Sequence, residues 1–230
     1  MHDPNHNASP FNSIPPVVVV LVVAIVGIEL ASQAHGAGLL GSIKMANLRG
    51  YLIETFGFSD LLMEWMRRNA TYPLDGIWRL VTYPFVHYEA MHAIFAAVLL
   101  LAMGKFVAER FAATSVLLIF FLSSIVAALA YSVFFESQGV LIGAYPAIYG
   151  LIGAYTWTLL TAYEQAGENR LKAFQLIGLL VGIQLLFNAI GGGGGLEWVA
   201  DLFGFVTGFC LSVMLSPGRL SELLRRFRQR

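Results

Sequence analysis

Six long apolar runs constrain this chain more than any other feature, falling near Ile14 to Ser32, Met91 to Val107, Ala112 to Phe134, Val140 to Ala162, Leu171 to Ile190 and Leu196 to Leu215. Crossing about 30 Å of hydrocarbon takes about 20 helical residues, so runs of this length can each cross a bilayer. Hydrocarbon offers no water to the backbone, and a helix satisfies its own N–H and C=O groups where an open strand cannot. Composition agrees: 57% of the 230 residues are hydrophobic and 12% charged, against about 25% charged in an ordinary soluble domain. The sequence therefore predicts an all-α membrane protein with six transmembrane helices, forming one domain without internal repeats.

An even number of spans puts both termini on one side. The basic tail from Arg219 to Arg230, with Lys105 and Arg110 after the second run and Arg170 and Lys172 after the fourth, marks that side as cytoplasmic. The expected location is an integral, multi-pass membrane protein, in the cell or inner membrane if the source is bacterial. The division is a polar tail at 1–13, a membrane region at 14–215 and a basic tail at 216–230. A formal net charge of zero argues against nucleic acid, which requires a clustered basic surface; the basic tail reads as a topology signal or a contact with lipid headgroups. Residues 1–13 hold no Lys or Arg, so the first run reads as a retained helix rather than a cleaved signal. His2 and His6 read as part of a solvated leader. Cys210 is the only cysteine; it forms no internal disulfide and is expected in the core.

The outer connection, about 33–87, mixes apolar and charged residues, as in Leu61-Leu62-Met63-Glu64-Trp65-Met66-Arg67-Arg68. It suits either helices lying in the headgroup plane or a folded extramembrane loop. The run Gly191 to Gly195 reads as a flexible tether between the last two helices.

Polar residues inside spanning helices usually face the protein interior or a water-filled cavity. His92, Tyr145 and Asp201 each fall near the outer start of the second, fourth and sixth runs, so topology brings them to one depth and into a shared outward pocket. Gly143, Ala147, Gly150 and Ala154 repeat at helical spacing along the fourth run, as Ala200, Gly204 and Gly208 do on the sixth. Small residues let membrane helices approach closely, so these faces are expected to pack and bring Tyr145 within a hydrogen bond of Asp201. Glu29 is expected to pair with Arg79 or another loop cation, or to remain solvated. His87 is expected to make a hydrogen bond at the headgroup boundary. Its spacing of five from His92 does not match two metal ligands on one helix face, and neither metal nor cofactor is expected. Ser123, Ser124, Ser132 and Ser212 read as serines bonding a carbonyl one turn back or a neighbouring helix.

These elements together resemble the rhomboid family of intramembrane serine endopeptidases. Trp78-Arg79, followed by Phe85-Val86-His87 and by Met91-His92-Ala93-Ile94-Phe95-Ala96, looks like the family's Trp-Arg motif leading into its second helix. Gly104 with Glu109 and Arg110 resembles the end of that helix, one residue longer than the family spacing. Gly143-Ala144-Tyr145-Pro146 stands where the family has Gly-x-Ser-Gly, and Ala200-Asp201-x-x-Gly204-x-x-x-Gly208 stands for its histidine-bearing motif. The resemblance covers about 78–215.

It implies a six-helix rhomboid fold and a mechanism in which a serine on the fourth helix is activated by a histidine on the sixth, while a histidine and an asparagine on the second hold the oxyanion. The matching positions are Tyr145, Asp201, His92 and Ala96, with Pro146 in place of a glycine and Tyr149 where an aromatic packs on the base. Only His92 is retained. Neither a phenol nor a buried carboxyl group takes up a proton near neutral pH as imidazole does, and Pro146 removes an amide donor. The resemblance thus points to a pseudoprotease that binds transmembrane segments of other membrane proteins, as inactive rhomboid relatives do, with Trp78, Arg79, Gly143, Tyr149, Gly150 and Gly204 lining or flanking the former site. The alternatives are a protease with an unorthodox site, a new acid–base site built from Tyr145, Asp201 and His92, or a transporter, for which the helices carry few polar positions.

Overall fold

The computed structural model describes residues 13–39, 47–134, 139–191 and 197–216. The tails holding His2, His6 and Arg219 to Arg230, and most of the glycine run, lie outside them. Among the described residues ten helices follow in chain order: α1 (Pro16–Gly36), α2 (Leu48–Phe56), α3 (Asp60–Asn69), α4 (Leu74–Ile77), α5 (Arg79–Thr82), α6 (Ala90–Ala108), α7 (Ala113–Phe134), α8 (Tyr145–Gln165), α9 (Gln175–Gly191) and α10 (Glu197–Leu215). Short 3-10 turns at Tyr83–Phe85 and Arg170–Phe174 precede α6 and α9.

Among the described residues four helices, α1, α6, α7 and α10, are long and apolar enough to cross a membrane. The two remaining runs differ from expectation. The fourth does not begin as helix: Val140–Leu141 pairs antiparallel with Phe58–Ser59, and α8 starts only at Tyr145. α8 has the length, 21 residues, but carries more polar side chains; α9 has 17 residues.

Local chemistry explains the boundaries. Pro16 opens α1, where a missing N–H costs nothing. Asn47 caps α2 by accepting from the Gly50 amide at 3.0 Å, and Ser59 caps α3 through the Leu62 amide at 3.3 Å. Asp60 in the first turn of α3 and Arg67 and Arg68 in its last complement the helix dipole. The described part of the outer connection is thus a folded, helical segment.

α8 sits at the centre, packed by α6, α7 and α10. Its residues from Pro146 to Ala154 are all buried, and Ile148, Leu151 and Ile152 meet Phe120, Ile119 and Leu100 in the main apolar core. α1 packs on α6, and the contact is close at Gly104, where an added Cβ would lie 2.9 Å from Val18 Cγ1. The main neighbour of α9 is the turn Arg170–Phe174 that precedes it. Cys210 is exposed on α10, so the core position expected for it is not the one it takes.

Candidate functional site

The site forms where α6, α8 and α10 begin. Gly143 adopts φ +96°, a region that disfavours any side chain, and its amide donates to the Tyr83 carbonyl at 3.0 Å. It therefore lies ahead of α8 rather than on its packed face, correcting the expected four-residue stripe. An added Cβ on Gly143 would come within 2.8 Å of the His92 ring. Pro146, buried in the first turn of α8, loses no helical hydrogen bond there.

The rest of the stripe packs as the spacing predicts. A Cβ on Gly204 would meet the Pro146 carbonyl oxygen at 2.1 Å, and one on Gly150 the Ser123 hydroxyl at 2.2 Å. The backbones of α8 and α10 are in direct contact at this point, the use membrane proteins make of small residues. Gly153, absent from the expected stripe, joins the interface against the Phe205 carbonyl at 2.3 Å.

Tyr145 stacks on His92 with centroids 5.2 Å apart and planes 13° apart. Tyr88 lies near-parallel to His92 at 6.0 Å, and His87 meets it edge-on at 4.9 Å. Asp201 is buried, and its carboxyl group accepts from Gln184 Nε2 at 2.8 Å. The expected Tyr145–Asp201 hydrogen bond does not form; α9 supplies the aspartate's partner instead. Gln184 escaped the sequence reading although a polar residue in an otherwise apolar run was the available signal. Ala96 is fully buried in α6, and Tyr149 is buried in the core.

On the outer face Glu29 pairs with a loop cation, as one of the expected alternatives had it, and that cation is Arg49: Arg49 Nη2 reaches Oε1 at 2.7 Å and Nη1 reaches Oε2 at 3.0 Å. Arg49 also donates to the His87 carbonyl at 2.8 Å, tying α1, α2 and the approach to α6 together. Contrary to expectation, the His87 side chain makes no hydrogen bond among the described residues, and both ring nitrogens are buried without a partner there. Burial first, and the neighbouring His92 second, lower its pKa to about 4; the Glu29 carboxylate and then the Phe85 carbonyl oppose this, the carbonyl without reaching hydrogen-bonding geometry. Burial likewise raises the Tyr88 hydroxyl pKa. That hydroxyl donates to the Val140 carbonyl at 3.0 Å.

The Trp78-Arg79 motif precedes this cluster in the chain. Arg79 donates to the Asp75 and Gly57 carbonyls, each at 3.0 Å, fastening α5 to the end of α2, while Trp78 stays exposed. Of the serines, Ser124, Ser132 and Ser212 bond carbonyls within their own helices, as expected; the Ser123 hydroxyl is buried against Gly150 with no hydrogen-bond partner among the described residues.

Residues 75–218 match the family model described as "Rhomboid domain", well over half of the chain. The chain belongs to the rhomboid family. Its helical architecture and strongly apolar helices fit an integral membrane protein of the rhomboid fold. Rhomboid-like protease 3 of Toxoplasma gondii is 25% identical to this rhomboid over 139 residues, covering 60% of this chain and 50% of the relative. The chain thus spans about half the length of that curated relative. In this rhomboid, Tyr145, His92 and Gly143 form one contact cluster and Asp201 with Gln184 another, joined through the close contact of α8 with α10.

Proposed function

We propose that this rhomboid is a non-catalytic member that binds transmembrane segments of other membrane proteins within the bilayer. The observation that carries the proposal is that Tyr145 and Asp201, at the positions matching the family's serine and histidine, do not pair with each other. Tyr145 has its ring against His92 and no hydrogen bond to Asp201, while Asp201 is held by an amide that cannot act as a base. Nucleophilic catalysis requires a nucleophile in hydrogen-bond reach of its base and donors for the developing oxyanion. With Ser, His and one glycine amide replaced by Tyr145, Asp201 and Pro146, each loss costs about a hundredfold or more in rate.

The same reading takes α8 and α9 as the remaining two spans, giving six with both termini on the cytoplasmic side. Lys105, Arg110, Arg170 and Lys172 gather at the end of the bundle opposite Tyr145, which supports that orientation. Client segments would meet the retained helical scaffold and the outer segment bearing Trp78 and Arg79.

The test is cleavage of a generic rhomboid transmembrane substrate in proteoliposomes, run beside co-capture of the same segment. Wild type and Tyr145→Ala are expected to bind the segment and cleave none of it. Wild-type cleavage that disappears in Tyr145→Ala would overturn the reading and establish a protease. The double change Tyr145→Ser with Asp201→His asks whether the scaffold still accepts the chemistry; recovered cleavage would support a dead site on an intact frame.

A further inference from the structure

At the end of the bundle opposite Tyr145, a cavity of about 410 Å³ opens between the α6–α7 turn, the last turns of α8 and the residue following α10. That volume lies within the range of about 300–1,000 Å³ typical of small-ligand sites. Arg110 contributes from the turn, Thr158, Thr161 and Gln165 from α8, and Trp157 and Ser216 join the two helices through a Trp157 Nε1 to Ser216 Oγ hydrogen bond. Helix ends of this kind lie at membrane depth next to the headgroups, where Trp is enriched.

The groups here have directional preferences. The Thr158 hydroxyl donates to the Ala154 carbonyl at 3.0 Å and Thr161 to the Thr158 carbonyl at 2.9 Å, so both oxygens face the cavity's ligand as acceptors only. Glu164 also lines the cavity, and Arg170 engages its carboxylate at 2.9 Å. Arg110 forms no ion pair among the described residues. The Glu164 charge is thus met by Arg170 from off the lining, and Arg110, the cation on the lining, offers a five-donor guanidinium to an anion beside hydroxyl oxygens and a carboxylate oxygen that can accept.

The geometry points to a binding site for a phospholipid whose head is a phosphate bearing free hydroxyl groups, of the phosphoglycerol kind. Arg110 receives the phosphate. The glycerol hydroxyls donate to Thr158, Thr161 and the free Glu164 oxygen, and the Gln165 amide serves either partner. A phosphocholine head lacks those donors and presents a cation to Arg110. Anionic lipid concentrated in the leaflet on the basic side of the protein would supply the ligand.

The full chain in phosphatidylcholine nanodiscs, with and without phosphatidylglycerol, tests this by native mass spectrometry of retained lipid. One phosphatidylglycerol is expected to stay bound in preference to phosphatidylcholine. Arg110→Gln is expected to weaken that preference roughly five- to tenfold, the size of one basic contact to an anionic headgroup. Thr161→Val is expected to weaken it a few-fold through the lost acceptor. Arg67→Gln removes an exposed cation at the far end and should leave retention unchanged. Equal losses in Arg110→Gln and Arg67→Gln, or no preference in wild type, would sink the proposal. Soluble glycerol phosphate forms the second arm: thermal protection by it in pure phosphatidylcholine, equal to that from the lipid, would show a free anion site and overturn the assignment to lipid.

Discussion

Gly208 and Gly150 touch backbone to backbone: a Cβ added to Gly208 would lie 1.9 Å from the Gly150 carbonyl oxygen. No rotamer relieves such a contact, because both partners are main chain, so α8 and α10 must separate to accept even one methyl group. Gly208→Ala is expected to destabilise the protein by about 1–3 kcal/mol or more, and Gly204→Ala, whose Cβ would meet the Pro146 carbonyl at 2.1 Å, by a similar amount. Gly178 and Gly182 on α9 have nothing within 4 Å of an added Cβ. Alanine at either should be neutral or stabilise by up to about 1 kcal/mol through helix propensity. Thermal unfolding of the four variants in one detergent checks the contrast; a Gly208→Ala protein as stable as wild type would refute the close contact.

Acid sensitivity should trace to His87. Its side chain is packed against His92 of α6, close to Glu29 of α1 and Arg49 of α2, with neither ring nitrogen bonded. Burial lowers its pKa from 6.5 to about 4, so between those values the unfolded chain binds a proton that the folded protein does not. Stability from this group is then fully present above pH about 6.5 and is lost as pH falls toward about 4, a total on the order of 3 kcal/mol. His87→Phe keeps an aromatic edge against His92 and removes the titration. Its unfolding free energy should fall less steeply than that of wild type over this window; parallel acid limbs would show that His87 is not responsible.

The Glu29–Arg49 pair is expected to behave as a buried clamp rather than a surface ion pair. The contact is two-pronged and Arg49 adds the His87 carbonyl, while Gln33 also donates to Glu29 at 2.8 Å. Side-chain exposure of 10% for Glu29 and 23% for Arg49 leaves some solvent screening, so Arg49→Met should cost about 2 kcal/mol, below the range for a fully buried pair broken on one side. Replacing both by Met should cost less than the sum of the single changes, because no carboxylate is then left alone. A double-mutant cycle that closes to zero would reduce the clamp to an ordinary exposed pair.

The residues that could be read from sequence were those whose role is periodic or local. The apolar runs located α1, α6, α7 and α10 to within a few residues, because desolvating a backbone segment of this length leaves helix as its solution. The small-residue spacing of Gly150, Gly204 and Gly208 anticipated their close packing for the same local reason. What the sequence hid were partners chosen by the tertiary path. Arg49 lies 20 residues from Glu29 and reaches it only once α2 has folded back, so Arg79 looked equally placed. Val140–Leu141 is apolar enough for a helix but finds a strand partner in Phe58–Ser59. Asp201 was expected to meet Tyr145 at a shared depth; depth fixes height along the bundle but not the direction in which each side chain leaves its helix, and Gln184 stood on the side that Asp201 faces.

That last distinction gives a prediction on the site itself. If the Tyr145 hydroxyl held Asp201, its removal would leave a buried carboxyl group short of a partner, costing about 1–3 kcal/mol. With Gln184 in that role, Tyr145→Phe keeps the ring stack on His92 at 5.2 Å and should change stability by no more than about 0.5 kcal/mol. Gln184→Leu, nearly the same size, should instead cost about 1–3 kcal/mol, because it leaves the Asp201 carboxyl group buried without its donor. Adding Asp201→Leu to Gln184→Leu should recover much of that loss, since replacing both members of a buried polar pair by apolar groups is far cheaper than removing one. Unfolding of Tyr145→Phe, Gln184→Leu and the double variant in the same detergent decides the matter: a large cost in Tyr145→Phe with a small one in Gln184→Leu would move the aspartate's partner back to α8.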